Sequence, residues 1–275
     1  MDKKCFSVSM CVYGKDDPSH FNTAVESILN QTLPPKEVVL VVDGPVPKKL
    51  SAIIENFEKN PLFNVIKLPV NKGHGVARRT GLENCTNELV ALMDADDISV
   101  PERFEKQISV FVSNPHLAIV GGNISEFVNN PNNIIGYRKV PQNDADIKRY
   151  MKKRCPMNQV TVMLSKSKIE SAGGYLDWYC NEDYYLWVRL ALKGYEFANV
   201  DEVLVNCRIG EDLYRRRGGW RYFKSEAKLQ RFMLKNKIIS FLDFSINIIK
   251  RLIVQVLMPN RLRGWVFQKM ARESN

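Results

Sequence analysis

At 275 residues, with 45% hydrophobic and 25% charged side chains, the chain has an ordinary globular composition and enough apolar content for a sizeable core. Its net charge of +10 is uneven: 16 of the 40 Lys and Arg, but only 7 of the 30 Asp and Glu, fall from residue 201 onward, so the first two hundred residues are nearly neutral. The six cysteines show no CxxC or Cys/His spacing, which argues against a structural zinc site and a disulfide scaffold and fits a reducing compartment.

The opening "MDKKCFSVSMCVYG" is too short in apolar residues for a signal-peptide core, so a cytosolic protein is expected. Residues 6–12 read as a strand, and Ser19 is placed to cap a helix with Phe21, Ala24, Val25, Ile28 and Leu29 on one face. The unit then repeats. "EVVLVVDG" predicts a strand ending at Asp43 and Gly44, "KKLSAIIENFEKN" a helix, "FNVIKL" a strand, "GVARRTGLENC" a helix and "ELVALMD" a strand. Alternating βα units with continuous apolar strands imply an α/β fold whose parallel sheet is covered by helices on both faces.

The strand "ELVALMD" runs into Asp94, Asp96 and Asp97. Ser99 and Glu102 read as an S-x-x-E capping box around Pro101, which starts a helix toward Val112 and puts the acidic cluster in a strand-to-helix turn. Crowded carboxylates repel one another and are costly to desolvate, so such a cluster faces a cation, a set of donors or water. In open parallel sheets ligands bind beyond the carboxyl ends of the strands, where this cluster, Asp43 and the turn after Val12 converge.

Farther on, "NNPNN" reads as a turn between two short strands, residues 143–153 as a helix and "NQVTVML" as a strand. A helix ends at Gly173 and Gly174, and another starts near Glu182 and stops at Gly194. Tyr184, Tyr185 and Trp187 on it are read as mainly core. The last stretch is apolar on most faces, with Asp243, Asn247, Lys250 and Arg251 as a narrow polar stripe. Charges interrupt it too often for a spanning helix. An interfacial helix flanked by Lys235, Lys237, Arg261, Arg263 and Lys269 fits, against the alternative of an ordinary helix packed on the domain.

Asp94-Ala95-Asp96 has the DxD spacing that suits an oxygen ligand for Mg²⁺ or Mn²⁺ beside leaving phosphates. Asp183, after Glu182 at a helix start, is either a dipole-complementing residue or a general base for an acceptor hydroxyl. By themselves Lys72 and Arg78 can be read as a solvated face, and His20, His74 and His116 show no ligand spacing.

"VSMCVYGK", "SILNQTLPPKEVVLVVDG", "NKGHGVARRTGL", "LMDADDISVPERF", "GGYLDWYCNEDYYLWVRLALKGYEF" and "RRRGGWRYFKSE" resemble, in order and spacing, the family-two glycosyltransferases of GT-A fold. The match covers roughly residues 6–230 and is similar to bacterial enzymes that build capsular, exopolysaccharide or lipopolysaccharide repeat units. It implies a nucleotide-binding half at about 1–98, an acceptor-binding half at about 99–235, and a basic amphipathic helical tail at 236–275. By the same resemblance Cys11, Tyr13 and Asp43 hold the nucleotide, with Asp43 receiving the uracil imide N–H. Lys72 and Arg78 line the base and phosphates, Asp94 and Ala95 border the ribose or donor sugar, and Asp96 ligates the metal. Asp183 is the base of the "ED" motif, and Arg216 and Arg217 belong to a loop that closes over the diphosphate. Arg79 stands where the family often has Asn, and Cys11 where it often has Thr or Ser.

The implied activity is metal-dependent inverting transfer from a UDP-sugar to a hydroxyl on a lipid-linked oligosaccharide. It implies a cytoplasmic enzyme, peripheral on the inner face of the cell membrane through anionic lipid contact, with Mn²⁺ or Mg²⁺ as cofactor and no nucleic-acid partner. The alternatives are a nucleotidyltransferase, which calls for more glycine than "VYGKDDPSH" provides, and a nucleic-acid-binding protein using the basic C-terminal region.

Overall fold

The computed structural model describes residues 5–210 and 218–259. Its first half follows the βα reading: β1 (Phe6–Tyr13), α1 (Pro18–Leu29), β2 (Glu37–Asp43), α2 (Lys48–Glu58), β3 (Phe63–Lys67), α3 (His74–Asn84) and β4 (Leu89–Met93). A two-residue strand β5 (Ile98–Ser99) precedes α4 (Arg103–Ser113). Then come β6 (Leu117–Phe127), β7 (Ile134–Arg138), α5 (Asp144–Met151), a 3₁₀ turn at Gln159–Thr161, β8 (Met163–Ser165), α6 (Lys166–Ser171), α7 (Glu182–Leu192) and β9 (Glu196–Arg208). Helices α8 (Trp220–Lys235) and α9 (Phe241–Arg251) and a π-helical turn at Leu252–Leu257 complete the described chain.

The strands form one sheet in the order β3-β2-β1-β4-β8-β6-β9-β5, with β7 on the far part of β6. Pairing is parallel through β3, β2, β1 and β4 and again between β6 and β9, and antiparallel where β8, β7 and β5 join. The sheet is therefore mostly parallel, with the short strands supplying the antiparallel joints.

Side chains along each strand alternate between two cores, as a period of two requires. Phe6, Val8, Met10 and Val12 of β1 and Ala91 and Met93 of β4 pack with α1, α2 and α4, while Val90 and Leu92 face the core built with α3, α5 and α7. The second face of β1 carries Ser7 and Ser9 because α3 lies close to it. A Cβ added to Gly81 would stand 2.3 Å from Ser9 Oγ. Tyr184 and Trp187 are buried, as read from the sequence.

Several local readings are corrected. Asp17, not Ser19, caps α1, its Oδ1 accepting from Ser19 N and His20 N. Ser99 forms no capping box: it is extended in β5, pairs with Val205 of β9, and takes a hydrogen bond from Gln31 Nε2 on its hydroxyl, so α4 starts only at Arg103. "NQVTVML" begins as a 3₁₀ turn, because Thr161 Oγ1 turns back to donate to Asn158 O and to receive Gly122 N, and only Met163–Ser165 is strand. Strand β6, with eleven residues, is long.

At the end of β2 the chain turns sharply through Gly44, with φ of +86°. A Cβ there would meet Asn71 N at 2.5 Å, a backbone contact that cannot yield cheaply. Both effects act against any side chain. Gly44→Ala is expected to cost at least about 2 kcal/mol, the strain of a positive φ plus the clash. Denaturant unfolding of both proteins measures it, and a loss below roughly 0.5 kcal/mol would show that the turn relaxes freely.

Candidate functional site

Because β1, β2 and β4 are parallel, Tyr13, Asp43 and Asp94 emerge at one edge of the sheet. Beyond β1 the chain runs to α1, β2 and β3 on one side, while β4 lies on the other, so this edge is a topological switch point.

Asp43 is buried and organises the loop before α3. Its Oδ1 accepts Lys72 N at 2.7 Å, its Oδ2 accepts Gly73 N at 3.0 Å, and its carbonyl takes Asn71 Nδ2. Lys72 thus joins the site through its backbone, with its side chain exposed. Cys11 lies half-buried between Arg78, Asp94 and Asp43, and burial pushes its thiol up to about 11, so it is neutral. Tyr13 is exposed at the mouth, and its N–H donates to Asp16 Oδ2 at 2.9 Å.

Under the acidic turn lies Arg78, with no exposed surface. Its Nη1 donates to Ser9 O at 3.3 Å and Met93 O at 3.2 Å, its Nη2 donates to Asp94 Oδ1, and its Nε donates to His74 Nε2 at 3.3 Å. It is therefore not part of a solvated face. Asp94 is half-buried against this guanidinium, Ala95 is buried, and Asp96 is exposed. Asp97 is buried and holds β9, its Oδ1 accepting Arg208 N at 2.8 Å. Burial raises the Asp97 carboxyl well above the usual carboxylate range, with the charges of Asp96 and Asp94 adding to it.

Asp183 stands in the first turn of α7. It is half-buried, its Oδ1 accepts Tyr184 N at 2.6 Å, and the Cys155 thiol faces Oδ2 at 3.8 Å. Burial, then the charge of Glu182, pushes it up to about 6, although the Tyr184 N–H and Arg138 pull the other way. Helix α7 is tied to α3 by Glu182 Oε1 and His74 Nδ1 at 2.8 Å, and Arg79 Nε of α3 donates to Tyr175 O in the segment before α7. From behind, α8 braces the approach to α7: Ser225 Oγ donates to Tyr179 O, Asn181 Nδ2 donates to Ser225 Oγ, and Arg221 lies over the Tyr179 ring.

The structure thus brings Cys11, Asp43, Lys72, Arg78 and Asp94 together and links Asp183 to them through His74. Arg216 and Arg217 lie outside the described residues. Sequence reasoning missed Asp16 and His74. Asp16 is half-buried, and burial with the charges of Asp96 and Asp94 raises it to about 6. The only signal for it was its place three residues past the end of β1, and His74 has no ligand spacing to mark it. Among the described residues no three His, Cys, Asp or Glu side chains gather into a ready metal cage.

Residues 7–170 match glycosyl transferase family 2, and residues 89–260 match glycosyl transferase family group 2. The chain belongs to family 2 of the glycosyltransferases. It is a glycosyltransferase, and the nucleotidyltransferase alternative gives way to that assignment. It is 41% identical, over 85% of its length and 86% of the relative's, to an uncharacterized glycosyltransferase of Haemophilus influenzae. It is 36% identical to the amylovoran biosynthesis glycosyltransferase AmsE of Erwinia amylovora, over 96% of this chain and 98% of that one. To a UDP-Gal:α-D-GlcNAc-diphosphoundecaprenol β-1,3-galactosyltransferase of Escherichia coli it is 35% identical over 98% of both chains. Its fold matches TarS 1–349 of Staphylococcus aureus in complex with UDP-GlcNAc, with a TM-score of 0.66 at 17% identity over 96% of this chain and 75% of that one. In a further TarS structure the match covers 90% of this chain and 43% of that one. This GT-A likeness agrees with the α/β fold expected from the sequence.

The raised carboxyl of Asp183 has a consequence for stability. The unfolded chain releases this proton near pH 4 and the native protein only near pH 6, so the native state binds more protons between those values and stability falls as pH rises through them. Asp183→Asn has no proton to lose there. Its thermal stability relative to the native protein is expected to improve from about pH 4 to about pH 6 and to stay level above, as thermal unfolding across that range tests. A constant offset at every pH would show that the carboxyl is not raised.

Proposed function

We propose that this glycosyltransferase moves a sugar, with inversion, from a UDP-sugar to a hydroxyl of a lipid-linked oligosaccharide in the synthesis of a bacterial surface polysaccharide. The observation that carries the reading is the half-buried Asp183 carboxylate, raised toward neutral pH and tied through Glu182 and His74 to the sheet edge that holds Asp43 and Asp94. A base must be ionised at working pH yet basic enough to take a proton, and a carboxyl near 6 meets both demands. The 35% identical relative named for UDP-Gal and a GlcNAc-diphosphoundecaprenol acceptor supports the donor and acceptor classes.

In this reading residues 1–98 bind the nucleotide, residues 99–235 the acceptor, and residues 236–275 form the tail. Cys11, Tyr13, Asp43 and Lys72 hold the nucleoside. The Asp43 carboxylate already receives two backbone N–H groups and keeps lone pairs for the uracil imide. Arg78 fixes Asp94 against the ribose or sugar with Ala95 beside it, and Arg216 and Arg217 close over the diphosphate. Asp183 takes the acceptor proton as that oxygen attacks the anomeric carbon from the face opposite UDP, which departs with the bonding electrons.

Mn²⁺ or Mg²⁺ suits the exposed Asp96 carboxylate, an oxygen ligand: Asp16 is raised by burial and then by the charges of Asp96 and Asp94, and a cation relieves the part that is repulsion. Asp96 would hold the ion, which when bound neutralises charge on the departing diphosphate. A protein titrated with UDP and Mn²⁺ and assayed with a panel of UDP-sugars on GlcNAc-diphosphoundecaprenol tests both assignments. Asp96→Ala is expected to lose the metal-dependent part of UDP affinity, while Asp183→Asn binds UDP normally and transfers roughly 10²–10⁴-fold more slowly. Unchanged affinity in the first or normal turnover in the second overturns the corresponding role.

The tail reading follows from how α9 is docked. Asn247 is buried, its Nδ2 donating to Lys152 O and Gln230 Oε1, and Arg251 pairs with Glu226 at 2.5 Å. Part of the polar stripe thus faces inward, while Phe241, Leu242, Ile246 and Ile249, followed by Ile253 and Leu257, are exposed. An apolar outer face beside Lys235, Lys237 and Lys250 suits the interface of an anionic bilayer, and no helix among the described residues is long and apolar enough to cross one. In this reading the enzyme is cytoplasmic and peripheral on the inner face of the cell membrane. Arg261, Arg263 and Lys269 lie outside the described residues. Flotation with phosphatidylglycerol vesicles is expected to carry the native protein and to leave behind a Leu242→Glu, Ile249→Glu variant of equal melting temperature. A native protein that never floats removes the membrane from the reading.

A further inference from the structure

One unbroken line of side chains joins the start of α7 to the end of β4. Glu182 Oε1 lies 2.8 Å from His74 Nδ1, Arg78 Nε donates to His74 Nε2 at 3.3 Å, and Arg78 Nη2 donates to Asp94 Oδ1. An arginine nitrogen always carries hydrogen and cannot accept, so His74 Nε2 must present its lone pair. The ring hydrogen then sits on Nδ1, where it is donated to Glu182. The two neighbours therefore select one neutral tautomer from the pattern of donors and acceptors.

We propose that His74 is a positioning residue for sugar transfer: its neutral Nδ1–H ring locks the Glu182–Asp183 pair to the Arg78–Asp94 pair and screens the charge of Glu182 from the neighbouring base. This rests on the reading of Asp183 as the base. Glu182 is the charge next to Asp183 on its own helix, and it is buried apart from a narrow edge. A hydrogen bond from His74 draws that charge away from Asp183. The other titratable or charged groups acting on Asp183 are Arg138 from β7 and the Cys155 thiol, and the Tyr175 hydroxyl feels its charge in turn. Around His74 stand Glu182, Arg78 and the carboxylate of Asp16. Of these groups, His74 is the one hydrogen-bonded to both Glu182 and Arg78.

Three substitutions separate the two halves of the ring. The Asn side-chain amide stands about where Nδ1 stands and can donate to Glu182, whereas the longer Gln amide reaches the Nε2 position and leaves Glu182 without its donor. In transfer assays with the UDP-sugar that the panel identifies, His74→Ala is expected to lower kcat by roughly tenfold with donor KM within about twofold. The acid limb of its pH profile moves to higher pH, because the unscreened Glu182 charge raises the base further. His74→Asn is expected to restore most of the rate and the position of the limb, and His74→Gln is not.

A His74→Ala profile that superimposes on that of the native protein, or an Asn variant no better than Ala, overturns the proposal. Nitrogen-15 NMR of the ring in the unliganded full-length protein reads the tautomer without any turnover. Hydrogen on Nδ1 is expected, and hydrogen on Nε2 defeats the assignment. Asp183→Asn assayed beside these keeps the two readings apart, since its normal turnover would remove the base while leaving the tautomer result standing.

Discussion

An arginine with no exposed surface has to find acceptors inside the protein, and Arg78 finds them at the ends of two parallel strands. The carbonyls of Ser9 and Met93 belong to β1 and β4, so one guanidinium spans the strands where the sheet gives way to the site. Its charge is balanced by Asp94, the first carboxylate after β4. A buried guanidinium is costly to desolvate, and removing its partner would leave its charge uncompensated. The strand ends, the acidic turn and α3 are thereby committed to one arrangement. Gly81 lets α3 come close enough for Arg78 to reach, and Ser9 provides a small neighbour on the facing strand.

Three carboxylates packed into four positions meet three different fates in consequence. Asp94 is paired with Arg78, and Asp97 is drawn inward to hold the backbone of β9 at Arg208, where burial favours its protonated form. Asp96 alone of the three is exposed at the mouth. Asp97 also explains why β5 exists. By holding Arg208 N it brings the end of β9 against the chain after the turn, which then pairs at Ile98 and Ser99. The acidic turn is stitched to the last strand of the sheet before α4 can begin.

Much of this fold was legible because buried parallel strands need continuous apolar runs, and "VVLVV" and "LVALM" have little other use. Asp43, Asp94 and Asp183 stand out as candidates by their places at the ends of strands and the start of a helix. Features that depend on contacts far apart in sequence were not legible. Ser99 has the spacing of a cap, but Gln31 and β9 claim it first. His74 looked idle because its partners are four residues and over a hundred residues away. Asp16 reads as a turn residue until β4 brings Asp94 and Asp96 beside it.

The last helix turns the usual logic of amphipathicity around. A surface helix normally buries its apolar stripe and shows its polar one to water. In α9 the contacts of Asn247 and Arg251 with α8 and with the carbonyls of Lys152 and Lys153 are polar, and the wide apolar surface is left outside. Polar anchoring of this kind is directional, because each hydrogen bond fixes an angle as well as a distance, whereas apolar contact tolerates sliding. Helix α9 is therefore held in a set rotation with its apolar residues aimed away from the domain. The carbonyls it grips lie just before Cys155, whose thiol faces Asp183, and Arg138 holds the Cys155 carbonyl from β7. The segment from Lys152 to Cys155 thus ties the orientation of the outer helix to the wall around Asp183, so that whatever covers the apolar face is registered against that carboxylate.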